Sequence, residues 1–541
     1  MISGAEAMIK CLEAEGIDIV FGYPGVAIAP FYDALHRTDN IEHFLARQEQ
    51  GSGHAASGYA RISRKPAVCV STSGPGATNL ITALATAYAD SIPIVAITGQ
   101  VSSELLGKDV FQEADIKGAT ESFTKYSYLV KDPDDLPRVF KEAFYIANTG
   151  RKGPVLIDVP VDVQRKRLTK KFKYPDSVDI RGYKPSAKAN KLQLRKVVSA
   201  LNQSKRPLIC VGGGVILGNA EKAVRKFCEA NQVPLVSTMM GIGVMPKNHP
   251  LYFGMVGNNG KPYANEAVHG SDLLIIVGAR VADRAIAAPK NLEREVPIIH
   301  IDIDSAEIGK NLGPTIPLVG DAALVFAQLM QADLSLDTAA WIQELQTIKT
   351  TTVDRRVWST EGVNPMVLVQ TLSEKLSDDA IYVADVGQNQ LWSADNYVMK
   401  SGRFLTTGGM GTMGYSIPAA IGAKMADPGK QVVAVCGDGA FQMGMSELAM
   451  AQVNQVGIKV IVMKNQVLGL VREYQHYTYQ DHYEGIALFD YPKLNHIAAA
   501  YDLAYFEARD NECLGDCLDA FLSVPGSALM VCHVDSQNNV K

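Results

Sequence analysis

The stretches QVVAVCGDG (431–439) and IKVIVMKN (458–465) decide how this sequence is read. Each is a short apolar run rich in β-branched residues. The first stops on Gly437-Asp438-Gly439 and the second on Asn465. Short apolar runs bounded by turn residues read as strands buried on both faces. In open parallel sheets, the loops after the carboxyl ends of the strands hold the chemistry. Mg²⁺ takes hard oxygen ligands and is usually held by one or two protein groups together with phosphate oxygens. Asp438 offers a carboxylate and Asn465 an amide oxygen, while the glycines let backbone N–H groups approach a diphosphate. Gly-Asp-Gly alone fits an ordinary strand-end turn equally well. Its pairing with an Asn at another strand end is what points to a metal–diphosphate site.

The same unit recurs outward from this stretch. It is seen in IDIVFGYPG (17–25), PAVCVSTSGPG (66–76), PIVAITGQ (93–100) and GPVLIDVP (153–160). It returns in PLICVGGG (207–214), DLLIIVGAR (272–280), IIHIDID (298–304) and IYVADVG (381–387). Strands of this kind alternating with helical stretches predict an α/β chain of doubly wound parallel sheets. Polar interruptions at 161–190 and 333–362 read as linkers and divide the 541 residues into three domains, 1–165, 185–335 and 360–541. That count fits a prior of ~150 residues per domain. The basic cluster Arg165, Lys166, Arg167, Lys170 and Lys171 reads as a solvated linker rather than a polyanion patch, because the rest of the chain is acidic.

Composition narrows the function classes. Hydrophobic residues at 47% and charged residues at 20% suit a soluble globular protein. A net charge of -5 argues against a chain built to bind nucleic acid. No apolar run is long enough to span a membrane. The start, MISGAEAMIKCLEAEG, is an amphipathic helical pattern without a signal core. The eight cysteines are scattered, and Cys513 and Cys517 lack zinc-knuckle spacing. A reduced, cytoplasmic protein is expected.

The Asp438–Asn465 arrangement resembles the thiamine-diphosphate signature, with Lys464 standing where the signature has a first Asn. Such a cofactor needs a carboxyl group beside N1′ of its pyrimidine, to exchange the proton that activates thiazolium C2. Glu49, in Arg47-Gln48-Glu49-Gln50 ahead of a small-residue helix and SGPGATN (73–79), is the candidate. Read alone, it fits a surface helix Glu better; the metal motif in the same chain is what favours the catalytic role.

Over nearly its whole length the chain resembles the catalytic subunit of the acetohydroxyacid (acetolactate) synthase family. The resemblance rests on FGYPGVAIAPFYDAL, RQEQGSGHAASGYAR, SGPGATNL, DVFQEAD, DVGQNQLW (385–392), GGMGTMGYSIPAAIGA (408–423) and GDGAFQM (437–443). It implies pyrimidine-binding, central and diphosphate-binding domains, and the joining of a two-carbon unit from pyruvate to a second 2-keto acid, pyruvate or 2-ketobutyrate. Glu49 would be the cofactor activator. Gly411 would offer its carbonyl to the aminopyrimidine, and Met413 would be the wedge that bends the cofactor. Gly387 and Gln388 would hold the diphosphate opposite Gly437, Asp438, Gly439 and Ala440. Asp438, Asn465 and the carbonyl of Val467 would bind Mg²⁺. Tyr23, Pro24, Gly25, Pro75 and Asn79 fall at the cofactor, and Val26, Phe111, Gln112, Lys125 and Tyr474 at the substrate. Lys125 would attract a carboxylate.

The resemblance also implies FAD without a redox part. Its contacts would be Gly212, Gly213, Gly214, Thr238, Met239, Gly241, Gly278, Arg280, Asp283, Arg284, Asp302 and Asp304. It implies a homodimer or homotetramer with each active site at a subunit interface, and leaves open a small regulatory subunit as a further partner. The chain departs from the family at Val26 (a second Gly), Asn389 and Asn259 (both His) and Tyr474 (Trp). It also stops at Lys541, where a closing tail usually follows. The rival readings are a pyruvate oxidase, a simple 2-keto acid decarboxylase and a regulatory binding protein that kept the fold.

Overall fold

The computed structural model describes residues 1–185, 187–285, 292, 296–353 and 356–540. Three six-stranded sheets, all of them parallel, follow one another along the chain. The first contains β1 (Ile19–Tyr23), β2 (Glu42–Leu45), β3 (Ala67–Ser71), β4 (Ile94–Gln100), β5 (Tyr126–Leu129) and β6 (Val155–Pro160), in the order β2-β1-β3-β4-β6-β5. The second contains β7 (Pro207–Val211), β8 (Leu235–Ser237), β9 (Tyr252–Met255), β10 (Leu273–Val277), β11 (Ile298–Asp302) and β12 (Ile316–Val319), in the order β12-β11-β10-β7-β8-β9. The third contains β13 (Ile381–Ala384), β14 (Arg403–Leu405), β15 (Val432–Gly437), β16 (Lys459–Lys464), β17 (Ala504–Ala508) and β18 (Ala528–His533), in the order β14-β13-β15-β16-β18-β17. The central strands β3, β4, β6, β7, β10 and β13 are buried throughout. This is why they read as unbroken apolar runs instead of alternating ones.

Each order has a central switch point, where strands that follow on in the chain run off in opposite directions: between β1 and β3, between β7 and β10, and between β13 and β15. The loops on either side of such a point diverge and leave a crevice at the strands' carboxyl ends. All three glycine-rich segments singled out in the sequence open onto these crevices.

The first and third sheets share one apolar core, in which Phe21, Leu84 and Leu156 pack with Ile381, Tyr415 and Val460. The seam is the helix Glu49–Ser63 lying on the helix Ser416–Ala426. A Cβ on Gly58 would fall 2.0 Å from the carbonyl oxygen of Ala419, and one on Gly422 would fall 1.8 Å from that of Ala55. The two backbones therefore touch, and only small residues fit the contact. The small-residue helix after Glu49 in the sequence has this origin.

The two linkers differ from expectation in one respect. In 161–190 the basic residues Arg165, Lys166, Arg167, Lys170 and Lys171 are exposed, as a solvated segment requires. In 333–362, however, Ala339–Thr351 forms a helix whose Trp341 and Leu345 are buried in the core of the second sheet. Two apolar residues four apart were enough to anchor a helix that otherwise looked like polar linker. Among the described residues, no helix is long and apolar enough to cross a membrane.

Candidate active site and cofactor cavity

At the β1/β3 crevice, Tyr23 ends its strand and Pro24 and Gly25 follow. A Cβ on Gly25 would lie 2.5 Å from Thr72 Cβ, so glycine is what lets the two loops meet. Gly74 turns the chain with φ +58°, and a Cβ there would lie 2.9 Å from Gln112 Cβ, which brings the Phe111–Gln112 loop against it. Pro75–Asn79 forms a short helix. Glu49 is the first residue of its own helix and is half-buried. Asn79 Nδ2 donates to Glu49 Oε2 at 2.9 Å, and a Cβ on Gly76 would be 3.2 Å from Glu49 Oε1. Val26, which follows Gly25, and Phe111, on the loop packed against Gly74, are 78% and 88% exposed.

At the β13/β15 crevice, Gly387 (φ +137°) precedes the helix Gln388–Asn396, and Gly437 precedes the helix Asp438–Gly444. Helix N-termini with free N–H groups suit a diphosphate. Asp438 is 5% exposed, and its oxygens accept only backbone N–H groups, from Gly439 at 3.1 Å and Gln466 at 2.7 Å. Burial pushes its pKa up to about 6. Lys464, the nearest cation in sequence, ion-pairs with Asp490 instead. A buried carboxylate without a paired side-chain cation fits a metal ion. Asn465 Nδ2 donates to Gln388 Oε1 at 3.0 Å, and Asn465 Oδ1 accepts from Val467 N at 3.2 Å. Among the described residues, no cluster of three or more His, Cys, Asp or Glu could hold a metal. Asp438 and Asn465 could offer one carboxylate and one amide oxygen, a pair that suits Mg²⁺ completed by phosphate oxygens.

The loop carrying Gly411 (φ +68°) and Met413 is fixed from below by Asp385. Its carboxylate accepts from Gly414 N at 3.0 Å, Ser416 N at 2.7 Å and Val386 N at 2.8 Å. Met413 Cε lies 3.4 Å from where a Cβ on Gly439 would be, so Met413 stands over the Gly437–Gly439 turn, and Ala440 is buried behind it. Asn389 donates to the carbonyls of Asp385 at 2.8 Å and Val435 at 3.1 Å, bridging the ends of β13 and β15. Tyr474 is 59% exposed on the helix Gly469–Tyr479.

The β7/β10 crevice opens into a cavity of about 910 Å³ lined by residues of all three units, those of the first coming from its helices and loops. Gly212, Gly213, Gly214, Thr238, Met239, Gly278, Arg280, Asp283, Arg284 and Asp302 line it, as does Asn259. Gly212 and Gly214 are packing glycines: a Cβ on either would meet the backbone of Gly278 at 2.4 Å and 2.8 Å. Gly241 and Asp304 are not among the lining residues. Gly241 packs on the backbone of Val211, and Asp304 lies 3.5 Å from Arg151, which does reach the cavity. Asp302 has its pKa pushed up to about 6 by burial.

The expectation for Lys125 is corrected. Its ammonium donates to the carbonyls of Ile146 and Thr149 and to Tyr183 Oη. An ammonium has three N–H donors, so none remains for a substrate carboxylate, and Lys125 instead fastens the start of β5 to the following linker.

Three further groups were not singled out from sequence. Glu447 is 2% exposed, and its carboxylate accepts from Arg47 N at 3.1 and 3.0 Å and from Gln48 N at 3.0 Å. It anchors the two residues before Glu49 to the segment that follows the Asp438 helix. Its signal was an acidic residue alone among Met445, Leu448 and Met450. Asp385 lay at the end of IYVAD, and Asp90 pairs with Arg61 at 2.7 Å while accepting from Gly409 N at 2.8 Å. No local pattern marks a partner so distant in the chain.

Three family models match the chain in order: the N-terminal binding domain of thiamine pyrophosphate enzymes over residues 2–119, the central domain over 194–329 and the C-terminal binding domain over 385–532. A probable acetolactate synthase large subunit of Methanocaldococcus jannaschii is 43% identical over 92% of this chain and 86% of its own length. The acetolactate synthase large subunit of Corynebacterium glutamicum is 43% identical over 90% and 79%. That of Lactococcus lactis is 40% identical over 95% and 89%. With both crevices built from the matched segments, the chain belongs to the acetolactate synthase large-subunit family of thiamine pyrophosphate enzymes.

Proposed function

We propose that this protein is an acetolactate synthase, which decarboxylates pyruvate and joins the two-carbon unit to a second 2-keto acid. The acceptor is pyruvate, giving 2-acetolactate, or 2-ketobutyrate, giving the homologous acid. The observation that carries the reading is the buried Asp438 with Asn465 at one switch point and Glu49 at another. Thiamine diphosphate, when bound, supplies the carbanion and electron-sink chemistry. Asp438, Asn465 and the Val467 carbonyl hold Mg²⁺, and the N–H groups after Gly387 and Gly437 receive the diphosphate. Met413, standing over the Gly437–Gly439 turn, would be the wedge that bends the cofactor, and Gly411 would orient the pyrimidine. Glu49, steadied by Asn79, exchanges a proton at the pyrimidine. The residues at 1–165, 185–335 and 360–541 are the units that carry these parts.

Among the described residues, Glu49 makes no hydrogen bond or ion pair with the Asp438–Asn465 half. Apolar side chains stand exposed around both halves: Val26 and Phe111 on one, Tyr474, Phe489 and Tyr491 on the other. Exposed apolar surface of this kind marks an interface. A second copy therefore completes each site, so the working form is a homodimer or a pair of dimers. The 910 Å³ cavity takes FAD in a structural role, and a small regulatory subunit is a further partner, in keeping with the relatives' description as large subunits. Phe111, Gln112, Val26 and Tyr474 face the substrate. The setting is cytoplasmic branched-chain amino acid biosynthesis.

The test is NMR product analysis with thiamine diphosphate, Mg²⁺, FAD and pyruvate alone, without oxygen. Accumulation of 2-acetolactate is expected; acetaldehyde or acetate as the main product refutes the carboligase reading. Glu49→Gln should bind the cofactor and lose orders of magnitude in rate, on the scale of ~10²–10⁴ for a proton-transfer group.

A further inference from the structure

A second cavity, of about 100 Å³, lies where the second sheet's unit meets the far end of the helix Gln388–Asn396. Three lysines and one carboxylate line it: Lys247, Lys261, Lys349 and Asp395. Asp395 is nearly buried, and both its oxygens are engaged, Oδ1 by Lys261 Nζ at 2.7 Å and Oδ2 by Arg356 Nη2 at 2.7 Å. Lys247 donates to the carbonyls of Asp395 at 2.5 Å and Tyr397 at 3.2 Å. Lys349 donates to the carbonyl of Tyr252 at 3.0 Å. Among the described residues, neither Lys247 nor Lys349 has a carboxylate within ion-pair distance. Among the described residues that line the cavity, three lysines thus face a single carboxylate.

We propose that this cavity is a binding site for a small oxyanion, of the size and charge of inorganic phosphate or a short carboxylate. Charge and donors both point to that class. The excess positive charge is enclosed where solvent screens it least. Lys349 makes one of the three hydrogen bonds its ammonium can donate, and Lys261 has donors beyond its bond to Asp395. The volume corresponds to about three waters at ~30 Å³ each, so a compact anion fits and a nucleotide does not. Burial lowers the pKa of Lys247 to about 8, with Lys261 and Lys349 acting in the same direction, so the buried ammonium groups repel one another. Asp395 stands near the end of the helix that begins at Gln388, and Gln388 holds Asn465. An anion here therefore ties the second sheet's unit to the element that positions the metal ligand.

The test uses enzyme saturated with thiamine diphosphate, Mg²⁺ and FAD, so that the diphosphate cradles are filled. Inorganic phosphate and, separately, acetate are titrated by calorimetry against chloride of matched ionic strength. The expected result is saturable binding of one anion per chain, weakened at least tenfold in both Lys261→Met and Lys349→Met. Phosphate without acetate identifies a phosphate site, and acetate without phosphate a carboxylate site. No saturable heat with either anion overturns the proposal. So does wild-type affinity in both variants, or an equal loss in Lys184→Met, which removes an exposed charge elsewhere. Should Lys261→Met fail to fold, Lys349→Met decides, because among the described residues the polar contacts of its side chain are the bond to Tyr252 and a contact over the Phe253 ring.

Discussion

Gly422→Ala adds one methyl group, and the structure says where it goes: 1.8 Å from the carbonyl oxygen of Ala55. Ordinary carbon–oxygen contact needs at least ~3.2 Å, so the helices Glu49–Ser63 and Ser416–Ala426 must part by more than 1 Å. Backbone faces backbone, and no side chain can swing aside. Overpacking of this kind costs about 1–3 kcal/mol, and the rigid contact puts this case at the upper end. Alanine's better helix propensity returns about 1 kcal/mol, leaving a net loss of about 2 kcal/mol. Gly515→Ala is the internal control, since it also lies within a helix but its Cβ meets nothing within 4 Å. That variant should gain up to about 1 kcal/mol. In a three-unit chain unfolding is not two-state, so the assay is the midpoint of the first urea transition, followed by tryptic cleavage within 49–63. Gly422→Ala should lower the midpoint and expose that helix, with kcat falling because Glu49 rides on it. If Gly422→Ala and Gly515→Ala shift the midpoint alike, the close-contact reasoning is wrong.

Other consequences are independent of that contact. Asp438→Asn should weaken Mg²⁺-dependent cofactor binding at least tenfold, or about 1.4 kcal/mol, and EDTA should release the cofactor from the wild type; unchanged affinity by calorimetry would remove Asp438 from the metal site. Glu447→Gln keeps one acceptor oxygen for the N–H groups of Arg47 and Gln48, so about 1–2 kcal/mol of stability should go. Its kcat should fall while cofactor affinity holds, and parallel loss of both would point to general unfolding. Asp158 is buried between Thr98 Oγ1 at 2.7 Å and Gln100 Nε2 at 3.0 Å, and burial pushes its pKa up to about 7 from 3.8. The folded chain holds that proton more tightly than the unfolded one. Its stabilising contribution is therefore complete below pH ~4 and lost as pH rises to about 7. Relative to wild type, Asp158→Asn should gain stability over that window, on the order of 4 kcal/mol by the integrated shift. A difference that stays flat from pH 4 to 7 in urea midpoints would contradict the assignment.

Much of the site was legible because its residues sit at the ends of strands that announce themselves. Asp438, Asn465, Gly387 and the Gly212–Gly214 turn all follow buried apolar runs, and in a doubly wound sheet strand ends are where ligands bind. The helix Ala339–Thr351 was not legible, since its two anchoring residues declare themselves only against the sheet they cover. Lys125 was misread for a related reason. Nothing near it in sequence shows that Ile146, Thr149 and Tyr183 converge on its ammonium.

Sequence by itself determined the fold class and the three-unit order, and it named the candidate metal and proton-exchange groups, because strand periodicity and residue chemistry are local properties of the chain. Only the tertiary structure decided which crevice each loop faces, that Glu447 steadies Glu49 across four hundred residues of chain, and that Lys247, Lys261 and Lys349 meet around one carboxylate. Contacts between residues far apart in sequence depend on how whole sheets pack, and no local pattern encodes that packing.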